Sequence, residues 1–357
     1  MRNLILCFLI VICFSCDKNK KFSTKKIETK SPISKVEIQT LLQDSLLNVR
    51  AIEIDEKGAL SFASSNGKIG GNLFYGNQER IEVREQLKLD TTNLNFRSLA
   101  TPNNRHGFVL SITSPAMLYK IDINSIRLVY KESHPKAFYD SMDFWNDKEG
   151  IAMGDPTDDC ISIIITRDGG ETWTKLSCDD LPKAIEGEAA FAASDTNIAT
   201  VGNETWIATG GMASRILYSA DKGKSWEIYN APIAQGKPTT GIYSLDFYDA
   251  KNGFAIGGDY TKPNDTIANK IRTQDGGKTW QIMADGKSPG YRSCVQYMPN
   301  SNAQELVTVG FKGIDYSNDA GESWKHLSDE GFYTIRFVND SMAYAAGRGR
   351  ISKLIFR

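Results

Sequence analysis

Short apolar runs of strand length alternate with small, polar and glycine-rich breaks along most of this chain. One composite pattern recurs: an apolar strand start, a turn, then a strand of small residues ending in Gly. It begins at Val49-Arg-Ala-Ile, Phe96-Arg-Ser-Leu, Tyr139-Asp-Ser-Met, Gly187-Glu-Ala-Ala, Ile242-Tyr-Ser-Leu, Tyr291-Arg-Ser-Cys and Phe332-Tyr-Thr-Ile, at intervals of 41 to 55 residues. Four starts are followed by a turn glycine: Gly58, Gly107, Gly150 and Gly253. A unit of that length holds about four short strands, and seven such units predict an all-β, seven-bladed β-propeller.

A second repeat sits inside the first. Thr166-Arg-Asp-Gly-Gly-Glu-Thr-Trp173, Ser219-Ala-Asp-Lys-Gly-Lys-Ser-Trp226, Thr273-Gln-Asp-Gly-Gly-Lys-Thr-Trp280 and Ser317-Asn-Asp-Ala-Gly-Glu-Ser-Trp324 align without gaps. The shared form, S/T-x-D-x-G-x-S/T-W, is the Asp-box or BNR hairpin. Its Asp accepts from turn amides, its Gly takes the φ > 0 step, and its Trp buries a large surface between blades. The box joins strands three and four of units 3 to 6. In units 1 and 2 it has decayed, near Lys68–Asn77 and Lys120–Arg127.

The last unit has room for only three strands, ending at Ile351–Phe356. An orphan strand, Val36–Leu42, precedes the first unit. Pairing it with the C-terminal strand closes the ring and removes an open edge. The chain therefore divides into a leader (1–16), a tether (17–35) and one propeller domain (36–357). In the leader, Arg2 precedes the apolar run Leu4–Phe14, which ends at Ser15-Cys16. A small residue before a Cys after such a run resembles a bacterial lipoprotein cleavage site, so Cys16 is the expected lipidation site. The tether carries seven Lys against one Asp and one Glu. These features predict an exported protein anchored in the bacterial cell envelope, on the periplasmic or outer-surface side.

Composition narrows the chemistry. Of 357 residues, 41% are hydrophobic and 24% charged, enough for a packed core. A formal net charge of −1 gives no global field for nucleic acid. Three scattered His residues, His106, His134 and His326, form no HExxH pair. GxGxxG after a strand and the haem CxxCH are absent and no CxxC falls within 36–357, so no cofactor is expected. Asp155, Asp158 and Asp159 lack the regular spacing of a calcium loop and read as a solvated acidic turn, so no metal is expected either.

Beyond the Asp boxes, the chain carries Phe138–Asp143, Phe144-Trp145 through Gly150-Ile-Ala-Met-Gly-Asp-Pro156, Gly187-Glu-Ala-Ala-Phe-Ala-Ala-Ser194, and Gly241–Phe247 through Gly253-Phe-Ala-Ile-Gly-Gly-Asp-Tyr260. Through these residues it resembles the photosystem II stability/assembly factor-like proteins, a branch of the WD/YVTN/BNR-like propellers, over nearly all of 36–357. The resemblance extends to a bacterial lipoprotein subgroup often called oxidoreductase, a name that no redox motif here supports. It implies a non-catalytic binding or assembly module, acting as a monomer on a protein or glycan ligand. The rival reading is a sialidase-like glycoside hydrolase or other carbohydrate-active enzyme. Against it, the Arg-Ile-Pro motif is missing, and xyloglucanases with Asp boxes use two propellers.

Blade topology puts the Asp boxes on one face and the long loops on the other. Those loops are Gly154–Asp159, Gly258–Asp265, Ser177–Gly187, Asn230–Gly241 and the segment around His134. Aligning the seven starts gives one polar column, Arg50, Arg97, Asp140, Glu188, Tyr243, Arg292 and Tyr333, expected as a ring at the channel mouth with Asp155, Asp259 and Arg348 above it. Three Arg there could clamp a carboxylate or phosphate. The alternative is that the ring only pairs with itself. Cys160 and Cys178 flank the first Asp box symmetrically, which puts them within disulfide range across an antiparallel pair.

Overall fold

The computed structural model describes residues 33–75 and 78–357. The leader, Cys16 and most of the basic tether lie outside them. Among the described residues there are strands and turns and no helix.

Seven antiparallel meanders follow one another. Unit 1 runs from the second half of Val36–Ile54 through Leu60–Ser64, Lys68–Tyr75 and Gln78–Gln86. Unit 2 is Phe96–Asn103, His106–Ser111, Ala116–Asp122 and Ser125–Glu132. Unit 3 is Tyr139–Phe144, Gly150–Gly154, Ser162–Thr166 and Thr174–Lys175. Unit 4 is Ile198–Val201, Glu204–Ala208, Arg215–Ser219 and Glu227–Asn230. Unit 5 is Thr240–Phe247, Gly253–Asp259, Lys270–Thr273 and Gln281–Ile282. Unit 6 is Cys294–Tyr297, Leu306–Gly310, Gly313–Ser317 and Lys325–Ser328. Unit 7 is Thr334–Phe337, Met342–Ala346 and Arg348–Phe356, and its fourth strand is the start of the first: Val36 opposes Phe356 and Gln43 opposes Arg350. The same strand then bends, and Ile52 opposes Phe62 in unit 1.

Local chemistry explains the turns. The first hairpin of five units opens on an Asx residue whose carbonyl or carboxylate oxygen accepts from amides two to four residues on: Asp55, Asn103, Asn146, Asp249 and Asn339. The four Asp boxes repeat one another nearly atom for atom. Asp168 accepts from the Thr172 amide at 3.0 Å and its hydroxyl at 2.6 Å. Asp221, Asp275 and Asp319 do the same with Ser225, Thr279 and Ser323. The box glycine adopts positive φ, +84° at Gly277, where a side chain is strained.

Apolar residues fill the junctions between units, not the interior of each sheet. Leu99 and Val109 pack with Ala51 between units 1 and 2; Phe108 and Trp173 lie between 2 and 3; Trp206, Phe247 and Trp280 between 4 and 5. The same holds between units 7 and 1, where Tyr344 and Ile351 pack with Leu60 and Phe62.

Unit 4 departs from the sequence expectation. Its first strand is Ile198–Val201, not the segment beginning at Gly187. Glu188–Ala189 instead pairs with Gly210–Gly211, and residues 190–197 leave the repeat altogether. Cys160 and Cys178 form a disulfide with Cα atoms 5.4 Å apart, and Cys294 is a buried free thiol.

Candidate functional site

Residues 190–197 hydrogen-bond to all six other units. Arg50 of unit 1 donates to the Ala193 carbonyl at 3.1 Å, and Arg97 of unit 2 to Ala192 at 2.9 Å. The Asp195 carboxyl accepts from the Leu99 amide of unit 2 at 2.8 Å and the Met142 amide of unit 3 at 3.2 Å. In unit 5, Leu245 donates to the Thr196 carbonyl at 2.8 Å. The Ser194 hydroxyl donates to Ser293 of unit 6 at 2.6 Å, and Thr334 of unit 7 donates to the Ser194 carbonyl at 3.0 Å. A segment this short reaches six units only where their inner strands converge. It is a plug across the central channel. Asp195 holds φ +60°, a conformation that Asp tolerates better than most residues.

The plug fixes the surface above it. Arg50 lies over the Tyr333 ring at 3.9 Å. Arg97 feels Arg50, Tyr333 and Asp140; burial and then the Arg50 charge pull its guanidinium down to about 10. Neither Arg50 nor Arg97 has a carboxylate within ion-pair distance among the described residues. Phe191 of the plug stacks on Tyr243 at 3.9 Å, and Tyr291 meets Tyr243 edge-on at 4.8 Å. Tyr260 and Phe311 extend this cluster outward and remain about half exposed. Asp140 is fully buried beneath; the Ala192 amide approaches it without a well-formed hydrogen bond. Burial, then the Asp155 charge, raise its carboxyl well above the usual range.

The expected ring is therefore partly assembled. Arg50, Arg97, Asp140, Tyr243 and Tyr333 converge around the plug. Arg292 does not: it is buried in its own unit, its Nε 2.7 Å from Asp315. Asp315 is a buried carboxylate on the third strand and needs that countercharge, and Gly310 opposite leaves room for the arginine stem. Glu188 does not either, because its segment is displaced from the repeat; it pairs with Arg215 and accepts from Thr209 at 2.6 Å. Asp155 accepts from the Ala190 amide at 2.7 Å and is pushed up to about 6 by burial. Asp259 is tied to Thr261 at 2.6 Å, and Arg348 is exposed opposite Asn48. Asp158 and Asp159 are exposed and apart from this cluster. The plug and the Phe191–Tyr291 aromatics escaped the sequence reading. The polar run Ser194-Asp195-Thr196-Asn197, set between apolar stretches, was the available signal.

The loop edge is also where apolar side chains are exposed. Ile185, Met212, Tyr260, Ile267 and Phe311, five of the ten large hydrophobics exposed among the described residues, lie in second-to-third or fourth-to-first connections, and Leu46 lies where the strand Val36–Ile54 passes from unit 7 to unit 1.

The BNR/Asp-box repeat family matches residues 164–175. Among solved structures, YCF48 from Cyanidioschyzon merolae is similar at 13% identity with TM-score 0.64, covering 90% of this chain and 98% of that one. YCF48 bound to D1 peptide gives 13%, TM-score 0.62, and 90% and 97%. This is an Asp-box β-propeller with the fold of YCF48. The GH74 xyloglucanase from Xanthomonas campestris shares it at 11% identity and TM-score 0.61, but the propeller here covers 89% of its own length and only 53% of that chain. No curated protein sequence matches this chain. Each antiparallel meander has the form of one propeller blade.

Proposed function

We propose that this protein is a non-catalytic docking propeller: seven blades, closed into a ring by the Val36–Gln43 strand, acting as a monomer and held at a bacterial membrane through Cys16. Its working surface is the loop edge. A protein partner covers the apolar ledge of Tyr260 and Phe311 and delivers an acidic group to Arg50 and Arg97. The observation that carries this is the arginine pair: two adjacent guanidiniums, fixed by plug carbonyls and Tyr333, with no ion-pair partner among the described residues. Such a pair is preorganised for a carboxylate or phosphate. The similar YCF48, solved with D1 peptide, supports a protein ligand.

The glycosidase reading is weaker. Most glycosidases need two carboxyls that reach the sugar; a sialidase needs an arginine cluster, a tyrosine nucleophile and an acidic partner. Asp140 is fully buried and Asp155 is tied to the Ala190 amide. The arginine triad of the sialidase reading also fails, since Arg292 is spent on Asp315. The test is cross-linked capture from native membranes with the wild-type lipoprotein and an Arg50→Ala/Arg97→Ala variant. A specific partner lost in the variant is expected, with the variant still cooperatively folded at the capture temperature although it melts lower for want of two plug hydrogen bonds. Equal capture by both would sink the reading. Release of sugar from xyloglucan or sialosides would establish the rival.

A further inference from the structure

The arginine pair has a buried carboxyl beneath it. Asp140 is the extra residue of a bulge in the first strand of blade 3, where Tyr139 opposes Gly154 and Ser141 opposes Met153. The bulge brings its side chain to the plug, beside the Ala192 amide. Asp140 is 0% exposed, and neither of its oxygens has a hydrogen bond among the described residues. Burying a carboxyl without a partner is costly, and the fold gains no bond in return. Two other charged members of the expected ring are held differently. Arg292 of blade 6 lies 2.7 Å from Asp315, and Glu188 pairs with Arg215.

Two charges act on Asp140. Arg97 of blade 2 favours its anion, and Asp155, next after the second strand of its own blade, opposes it. Burial and then Asp155 prevail, so the carboxyl holds its proton well above the usual range. Arg97 feels the same group from the other side. Burial and then the Arg50 charge pull its guanidinium down, the Asp140 charge lifts it, and it settles at about 10. Its Nε donates to Asn95 at 3.1 Å and one terminal nitrogen to Ala192 at 2.9 Å, which leaves the other terminal nitrogen uncommitted among the described residues. Arg50 and Arg97 are partly exposed, whereas Asp140 is sealed below them. The charge that an incoming anion meets therefore depends on one buried proton. With Asp140 neutral, two guanidiniums face the anion uncompensated. With Asp140 ionised, a fixed negative charge that water does not screen competes for Arg97.

We propose that this seat binds an acidic group and a proton together: Arg50 and Arg97 hold an anion at full strength only while Asp140 is protonated, and a bound anion in turn keeps that proton in place. The two effects are equal by linkage. Affinity for an acidic partner rises as pH falls through the titration of Asp140, and complex formation takes up protons. Asp155 sets where that transition falls, because its charge strengthens the hold of Asp140 on the proton. This inference rests on the loop-edge reading and adds a regulation to it.

The probe is inorganic sulfate, a dianion from about pH 5 to about pH 9, titrated calorimetrically into the purified full-length lipoprotein at constant ionic strength. Arg97 stays charged over this range. Binding should be about tenfold tighter at pH 5 than at pH 9, the effect of displacing the Asp140 titration by about one pKa unit. Near the midpoint, heats in two buffers of different ionisation enthalpy should report proton uptake. Asp140→Asn, similar in shape and neutral at every pH, should bind at pH 9 as tightly as the wild type does at pH 5, without uptake. Asp155→Asn keeps an acceptor for the Ala190 amide and should move the profile to lower pH without flattening it. The rest of the surface titrates equally in the wild type and Asp140→Asn, so the difference between them isolates this carboxyl. A wild-type profile parallel to that of Asp140→Asn, or binding without proton uptake, overturns the inference and leaves the arginine pair standing as an anion seat. No saturable sulfate binding, or binding that survives in Arg50→Ala/Arg97→Ala, removes the seat itself and the inference with it.

Discussion

At the junction of blades 4 and 5, the Trp206 indole stacks on Phe247 at 3.7 Å and donates to the box carbonyl of Gly276. At the junction of blades 1 and 2, the matching positions are Ser61, Gly71 and a bare turn. The outer hairpins differ in step. In blades 1 and 2 the third and fourth strands run 7 to 9 residues. In blades 3 to 6 they run 4 or 5 residues and then 2 to 4. A box fixes its turn with side-chain hydrogen bonds and anchors it on the neighbouring blade, so the outer strand can be short. Without it, the ladder must hold the hairpin, each bond adding only about 1 kcal/mol net. Two solutions to one packing problem therefore stand side by side in one chain, and the junction where neither side supplies a wedge carries a cleft of about 710 Å³.

The unboxed sector should be the more sensitive to loss of a strand. A chain beginning at Leu46 loses the pairing of Val36–Gln43 with Arg350–Phe356 and uncovers the apolar face behind it. The expected loss is about 5 kcal/mol or more, on the scale of a whole domain's stability. Urea denaturation reads it directly. A midpoint equal to that of the full domain would mean that the N-terminal strand does not lock the sector.

Asp195 ties the two sectors together, since it accepts from Leu99 of an unboxed blade and Met142 of a boxed one. Asp195→Ala leaves two buried amides without acceptors and should cost about 3 kcal/mol. Hydrogen exchange should show both amides losing protection. If only one sector loosens, the plug serves that sector alone.

What could be read from the residues follows the same division. Four Asp boxes gave the hairpins of blades 3 to 6 because their chemistry is local: each Asp meets a hydroxyl four residues on. The outer pairing of Val36 with Phe356 was legible too, as the one strand lacking a partner. The candidate site was legible only in part. Arg50, Arg97 and Tyr333 followed from repeat register, whereas Glu188 and Arg292 did not, because register says nothing of a segment that leaves the repeat or of a buried Asp315 across the sheet. The plug is held by contacts from Arg50 to Thr334, and no local pattern encodes partners so far apart.

Titration should separate the sectors further. Burial pushes Asp143 of blade 3 up to about 7 and Asp246 of blade 5 up to about 6. The matching position in blade 2 is Ala100. A carboxyl raised in the folded state holds its proton there while the unfolded chain has released it. These two groups therefore add stability that is full below about pH 4 and is lost as pH rises through about 6 to 7. Tm should be higher at pH 5 than at pH 8 on their account. Asp143→Asn should shrink that difference by about 2 °C. An unchanged difference would assign the pH dependence elsewhere.

The smallest effect isolates the box itself. Asp275 accepts from the Thr279 amide and hydroxyl and from the Thr273 hydroxyl, all within 2.9 Å. These bonds are local, and the Thr279 end of the hairpin is exposed, so water replaces part of what Asp275→Ala removes. The expected cost is about 1 to 2 kcal/mol, in the range measured for side chains that hold backbone amides at helix starts. In blade 2, Asp122 opens the turn that stands in the same place; it meets Ser125 at 3.3 Å and Arg127 at 3.6 Å, contacts that are long and exposed. Asp122→Ala should cost under about 0.5 kcal/mol. The pair of variants, compared by urea midpoint at one pH, measures how much of the boxed hairpin's stability the Asp contributes. Equal costs would mean that blade 2 retains a working box under a changed sequence, and the open junction beside it would need another cause.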